Sequence, residues 1–301
     1  MTSLPSAPIG VFDSGVGGLT VLRALREQLP GEPLLYLGDT ARLPYGSKSA
    51  GTVVRYAEQC ARVLVARGVK LLVIACNTAS AVALEHLREV FHPLPVIGVV
   101  EPGAEAACAV SRSGEIVVIA TEGTVRGGAY ERAIRARRPD ARVVQTPCPL
   151  FVALAEEGWV SGPIAEAIAH RYLDAVLREH PGADCLVLGC THFPVLRAAI
   201  SAVVGPRLAL VDSAETTARV VARELAARGL LHTYAAGRSG PNHALAEDPA
   251  EPGKPTPAAG QGSVRFLATD APTRFARVGA VFMGEALAPE LRPEAVELVD
   301  L

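Results

Sequence analysis

Residues 71–80 read LLVIACNTAS, and this stretch decides the fold. Residues 71–75 are an uninterrupted apolar run of strand length, the pattern of a parallel strand covered on both faces. Helical periodicity resumes over 79–89, so Cys76, Asn77 and Thr78 fall at the strand end, where the chain turns into a helix. Working outward, similar runs occur at 9–12, 34–37, 96–100, 116–120, 142–145, 185–188 and 208–211, with a shorter one at 264–268. Helical periodicity lies between them at 19–29, 50–67, 130–137, 164–179 and 216–227, and again at 274–287. Strand–helix alternation predicts an α/β fold with parallel sheets and helices on both faces. Ligands in such folds bind beyond the carboxyl ends of the strands.

The same stretch has an echo. LVIACNT at 72–78 returns as LVLGCT at 186–191, and IGVFDSG at 9–15 returns as VVIATEG at 117–123. Two similar α/β units, each offering one cysteine to a shared cleft, account for both echoes. Residues 237–262, GRSGPNHALAEDPAEPGKPTPAAGQG, lack periodicity and predict a flexible, functionally secondary surface insert.

Composition narrows the chemistry. Half of the 301 residues are apolar and a fifth are charged, which excludes a disordered chain. No apolar run reaches a membrane span, and MTSLPSAPIG has neither a basic region nor an apolar core for secretion. A cytoplasmic protein is expected. Twenty-nine basic against 31 acidic residues, without a basic stripe, exclude a nucleic-acid partner. Six cysteines in a long chain without a secretion signal are expected as reduced thiols. They form no C-x-x-C pair, so no metal site is expected. The only lysines are Lys48 in a loop, Lys70 just before a strand and Lys254 in the insert, which argues against a pyridoxal cofactor and its Schiff-base lysine.

Four strand ends carry candidate chemistry. In FDSGVGGL, 12–19, Asp13 and Ser14 precede a glycine-rich turn that could present N–H groups to a small carboxylate or simply cap a helix. In PYGSK, 44–48, a turn could aim backbone N–H groups and the Tyr45 hydroxyl at a cleft; alone it reads as a plain loop. Cys76 and Cys190 each open onto a helix N-terminus, where the dipole favours a thiolate. Two such thiols suggest an acid/base pair facing each other across one substrate. Cys60, Cys108, Cys148 and Cys185 read as small buried hydrophobes. His192 and Asp13 could relay protons for one thiol each. Glu156, by spacing alone, reads as a solvated helix end.

DSGVGGLTVL, GDTARLPYGSKS, VIACNTASA and VLGCTHFPVL, in this order from residue 9 to about 218, resemble the cofactor-independent Asp/Glu racemase family, and the His after Cys190-Thr191 resembles its glutamate branch. The insert at 237–262 departs from the family pattern. The resemblance implies two α/β domains related by pseudo-twofold symmetry with the site in the cleft between them. The expected division is 1–101 with 209–301 for the first and 102–208 for the second. It implies Cys76 and Cys190 as the two bases, Cys76 serving the D-isomer and Cys190 the L-isomer, with Asp13 beside the first and His192 and Glu156 beside the second. Substrate contacts would come from Asp13, Ser14, Tyr45, Gly46, Asn77, Thr78, Thr191 and His192. The expected partners are glutamate and a second copy of the chain, with no cofactor. An aspartate or hydantoin racemase is the alternative within the superfamily; a non-catalytic amino-acid binder is the alternative outside it, and has no use for paired thiols.

Overall fold

Ten strands, every one parallel to its neighbours, form two separate sheets among the described residues, 4–232 and 262–301, of this computed structural model. The strands are β1 Ile9–Asp13, β2 Leu34–Gly38, β3 Leu71–Ile74, β4 Val96–Gly98, β5 Glu115–Ala120, β6 Arg142–Pro147, β7 Cys185–Gly189, β8 Ala209–Asp212, β9 Val264–Ala268 and β10 Val296–Leu298. The six-stranded sheet runs β4-β3-β1-β2-β9-β10 and the four-stranded sheet runs β8-β7-β5-β6. The first four strands and the next four therefore share one order, and the strands ending before Cys76 and Cys190 (β3 and β7) occupy the same place in it. The echo in the sequence is a duplication in space.

Central strands β1, β2, β3 and β7 are buried along their whole length, as continuous apolar runs require. Helices such as Leu19–Gln28, Asn77–Val90, Val100–Val110 and Ser213–Ala227 cover them and bury one face each. The run at 96–100 is shorter than expected. It ends at Gly98, and Val100 already opens a helix whose first turn holds Pro102 and Gly103. Proline is tolerated there because its missing N–H would have no helical partner anyway.

The return of the chain to the first sheet comes later than the expected boundary at 208/209. β8 pairs with β7, Leu186 opposite Leu210, so it closes the second sheet. Helix Ser213–Ala227 then packs on helix Leu19–Gln28, and β9 docks beside β2. A short apolar strand carries no mark of which sheet edge it will join, so the sequence alone does not fix where β8 belongs. The expected insert at 237–262 lies outside the described residues but for Gly262, whose N–H donates to the Pro30 carbonyl at 2.8 Å.

Candidate active site

The carboxyl ends of β1, β3, β5 and β7 meet, and nearly every residue singled out from the sequence gathers there. Cys76 is the N-cap of helix Asn77–Val90. Its Sγ accepts the Ala79 N–H at 3.5 Å and lies 3.5 Å from the Ser14 hydroxyl. This is the helix N-terminus expected to favour a thiolate, yet burial dominates. Desolvation, helped by Asp13 and by Cys190, pushes the Cys76 thiol up to about 12 against the hydrogen bonds from Ser14 and Ala79. Cys76 therefore rests as a thiol.

Asp13, at the end of β1, is buried; its Oδ2 accepts the Gly15 N–H at 3.1 Å, while Oδ1 has no hydrogen-bond partner. Burial raises its carboxyl, opposed by His192 and nearby backbone N–H groups. An unpartnered buried carboxylate oxygen is costly unless something cationic arrives. Asn77 repeats the pattern: Oδ1 accepts the Tyr130 hydroxyl at 2.7 Å, and Nδ2 is buried without a partner.

Cys190 follows β7 and sits in different company. Its Sγ is 3.8 Å from His192 Nδ1, and His192 Nε2 is 3.3 Å from Glu156 Oε1. Burial opposes a charge on His192, but Cys190, Glu156 and Asp13 outweigh it and push the imidazole up to about 10. Glu156 is held below the usual carboxylate range: burial would raise it, and His192 and Arg274 overcome that. So Glu156 is no solvated helix end. It closes helix Leu150–Glu156 with Oε1 on His192 and Oε2 on Arg274 Nη2 at 2.8 Å.

The glycine-rich turn lets the first lobe come this close. A Cβ on Gly17 would lie 2.3 Å from His192 Nδ1 and 2.6 Å from Thr191 Oγ1. One on Gly18 would lie 2.5 Å from the Asp13 Cβ. Thr20, in the first turn of the helix that follows, donates to the Thr191 carbonyl at 3.2 Å.

One group of residues has no signature of its own in the sequence. Thr78 Oγ1 lies 3.0 Å from Thr121 Oγ1 and 3.2 Å from Thr124 Oγ1, a triangle of hydroxyls bridging the lobes. Thr121 was visible only as the echo of Asp13, since a threonine after a strand is an ordinary helix cap. The Tyr45 hydroxyl was expected to face the cleft. It donates instead to Asp39, buried 3.8 Å from Cys60 Sγ. What the turn brings to the seam is backbone: a Cβ on Gly46 would lie 2.8 Å from the Thr121 Cβ.

No group of three or more His, Cys, Asp or Glu side chains suited to a metal ion occurs among the described residues. Lys70 is engaged elsewhere, its ammonium held by Glu32 and the Pro5 and Leu230 carbonyls. A cavity of about 450 Å³ lined by residues including Arg88, Glu101, Arg137 and Arg228 shares no residue with the thiol cluster. No helix among the described residues is long and apolar enough to cross a membrane.

With this geometry in view, comparisons with known proteins are informative. Residues 9–221 match the Asp/Glu/hydantoin racemase family. A glutamate racemase of Geobacter metallireducens is 48% identical over 284 residues, 94% of this chain and 95% of the relative. Among solved structures, the glutamate racemase of Thermus thermophilus in complex with β-chloro-D-alanine is 42% identical, with TM-score 0.80 and 99% of each chain covered. That of Francisella tularensis in complex with D-glutamate is 33% identical, with TM-score 0.82, covering 99% of this chain and 98% of that one.

Proposed function

The chain belongs to the Asp/Glu/hydantoin racemase family, and from that premise we propose that it interconverts L- and D-glutamate without a cofactor, by proton exchange at Cα between two cysteines. The observation that carries this reading is that Cys76 and Cys190 follow equivalent strands of two like sheets, with Cys190 near enough to Cys76 to help raise its thiol. A racemase must take a proton from one face of Cα and return one to the other, and two monoprotic groups on opposite sides suffice.

In the proposed cycle one cysteine thiolate removes the Cα proton. The electron pair passes into the carboxylate as an enediolate, and the opposite thiol delivers its proton to the other face. Cys76, resting as a thiol, is poised as the acid. Cys190, with His192 Nδ1 at 3.8 Å, is the proposed base for the opposite face. Glu156 holds the imidazolium. The unpartnered Asp13 Oδ1 is placed to accept the substrate ammonium, together with Ser14. Asn77 Nδ2, the Thr78 and Thr191 hydroxyls, the Tyr45–Gly46 backbone and His192 are the groups for the carboxylates. Thr121 and Thr124 join them through the hydroxyl triangle. The physiological setting we infer is a cytoplasmic homodimer supplying D-glutamate for peptidoglycan.

L-Glutamate in deuterated water, with protein dialysed against EDTA, tests this by NMR. D-Glutamate should form with deuterium at Cα while L-aspartate stays unchanged. Faster exchange of aspartate would move the chain to another branch of the family, and binding without exchange would make it a non-catalytic binder. Activity restored only by a metal, flavin or pyridoxal phosphate would refute the two-thiol mechanism.

A further inference from the structure

The cluster around Cys190 does not close within its own lobe. Its last member, Arg274, stands on helix Pro272–Leu287, which follows β9 of the six-stranded sheet. Phe275 fixes that helix to the first lobe: its ring lies 6.0 Å from the Tyr36 ring, and a Cβ on Gly38 would be 2.7 Å from it. The same helix sends Phe282 edge-on against His192, ring centroids 5.1 Å apart at 78°. One helix of the first lobe thus touches both the imidazole and the carboxylate of the second lobe's base assembly. Arg274 takes Glu156 Oε2, which leaves Oε1 turned to His192 Nε2 and His192 Nδ1 turned to Cys190.

We propose that Arg274 is a positioning residue for the Cys190 half of the reaction, orienting Glu156 across the lobe seam while leaving the Cys76 half untouched. The proposal rests on the two-thiol reading above. No hydrogen bond of Cys76 passes through this chain of groups: its partners are Ser14 and Ala79. Arg274 is also 45% exposed, and an ion pair with one partner in solvent contributes little to stability. Loss of the guanidinium should therefore disturb geometry without unfolding the chain.

Racemisation rates cannot separate the halves. L- and D-glutamate have equal free energies, so kcat/KM must be the same in both directions for every variant. An irreversible half-reaction is needed, and β-chloroalanine supplies one. A thiolate takes the Cα proton, the electron pair forms the Cα–Cβ double bond and chloride leaves Cβ. The resulting aminoacrylate is hydrolysed by water to pyruvate and ammonia. Cys76→Ser and Cys190→Ser first establish which enantiomer each thiol serves, through the enantiomer whose elimination each abolishes.

Arg274→Gln should then slow elimination from the Cys190-dependent enantiomer by about tenfold or more, the usual cost of losing a partner that orients a catalytic group. Elimination from the other should stay within about twofold, a change too small to mark a lost catalytic contact. Arg274→Lys, which keeps the charge, should recover much of the lost rate. Equal slowing of both enantiomers, slowing of the Cys76-dependent one alone, or no change would overturn the assignment, and so would failure of Lys to rescue. Should the two cysteine variants fail to divide the enantiomers, the two-thiol reading itself falls and this inference with it.

Discussion

Gly17→Ala places one methyl group between the lobes and tests whether the position of His192 governs the reaction. The new Cβ would lie 2.3 Å from His192 Nδ1 and 2.6 Å from Thr191 Oγ1. Non-bonded atoms settle at about 3.5 Å, so the imidazole must retreat by about 1 Å. Nδ1 already stands 3.8 Å from Cys190 Sγ, and a further ångström removes that contact. Overpacking costs about 1–3 kcal/mol. In a chain of this size that lowers Tm by several degrees and leaves the protein folded at 25 °C. A displacement of about 1 Å at a reacting group costs about 10²-fold in rate, or about 2.7 kcal/mol of barrier. Racemisation of either enantiomer, followed by circular dichroism, should therefore fall about a hundredfold in kcat/KM, equally in both directions. Gly51→Ala is the control, since its Cβ meets nothing within 4 Å on helix Ala50–Ala66 and alanine favours a helix. If Gly17→Ala racemises within about threefold of wild type, under 1 kcal/mol of barrier, then His192 does not need its place beside Cys190 and its assigned role is wrong.

Three further outcomes are expected. Cys76→Ser and Cys190→Ser should each lose racemisation by at least about 10²-fold, because every turnover uses both thiols; retention of activity within about tenfold in both would sink the mechanism. Glu32→Gln, which strips the buried Lys70 ammonium of its carboxylate, should lower unfolding free energy by about 3–5 kcal/mol in urea titrations, and a loss below about 1 kcal/mol would show the pair to be dispensable. The imidazole of His192 is raised from the ordinary 6.5 to about 10, so its contribution is full below pH 6.5 and disappears as pH rises to 10; the Tm advantage of wild type over His192→Gln should shrink across that window, and a constant or growing advantage would contradict the raised value.

Most of the fold was legible because its central strands are covered on both faces and write themselves as apolar runs. LLVI, IVVI and CLVLG could not be placed anywhere else. The thiols were legible for a related reason: a strand end opening onto a helix is a recognisable place, and the duplication marked it twice. What escaped was whatever depends on distant segments meeting. Glu156 was singled out, but its partner Arg274, 118 residues away, stands in no motif. Thr121 and Thr124 acquire meaning only when Thr78 arrives from the other sheet. The Tyr45 hydroxyl faced two choices, cleft or interior, and the buried Asp39 carboxylate decided it. β10 is three residues long, too short for any period to show.

Duplication made the two thiols equivalent in topology, yet their surroundings are unlike. Cys76 has burial and the Asp13 carboxylate, which keep its proton on against the Ser14 hydrogen bond. Cys190 has the His192 imidazole beside it, itself raised and backed by Glu156 and Arg274. Such asymmetry cannot drive net conversion, because the enantiomers are isoenergetic and kcat/KM is bound to be equal in both directions. It can decide only which enantiomer meets the free protein already in the right protonation state. The other enantiomer needs the proton on the opposite thiol, a form that is less populated at rest, and a competent fraction f weakens its apparent binding by 1/f. The same fraction then reappears as a higher kcat for that enantiomer once it is bound, so that the ratio is preserved. An unequal thiol pair therefore divides kcat and KM differently between the two directions while leaving their quotient fixed. On the two-thiol proposal, substitutions of the residues that make the pair unequal, Asp13 on one side and His192, Glu156 and Arg274 on the other, should shift this division.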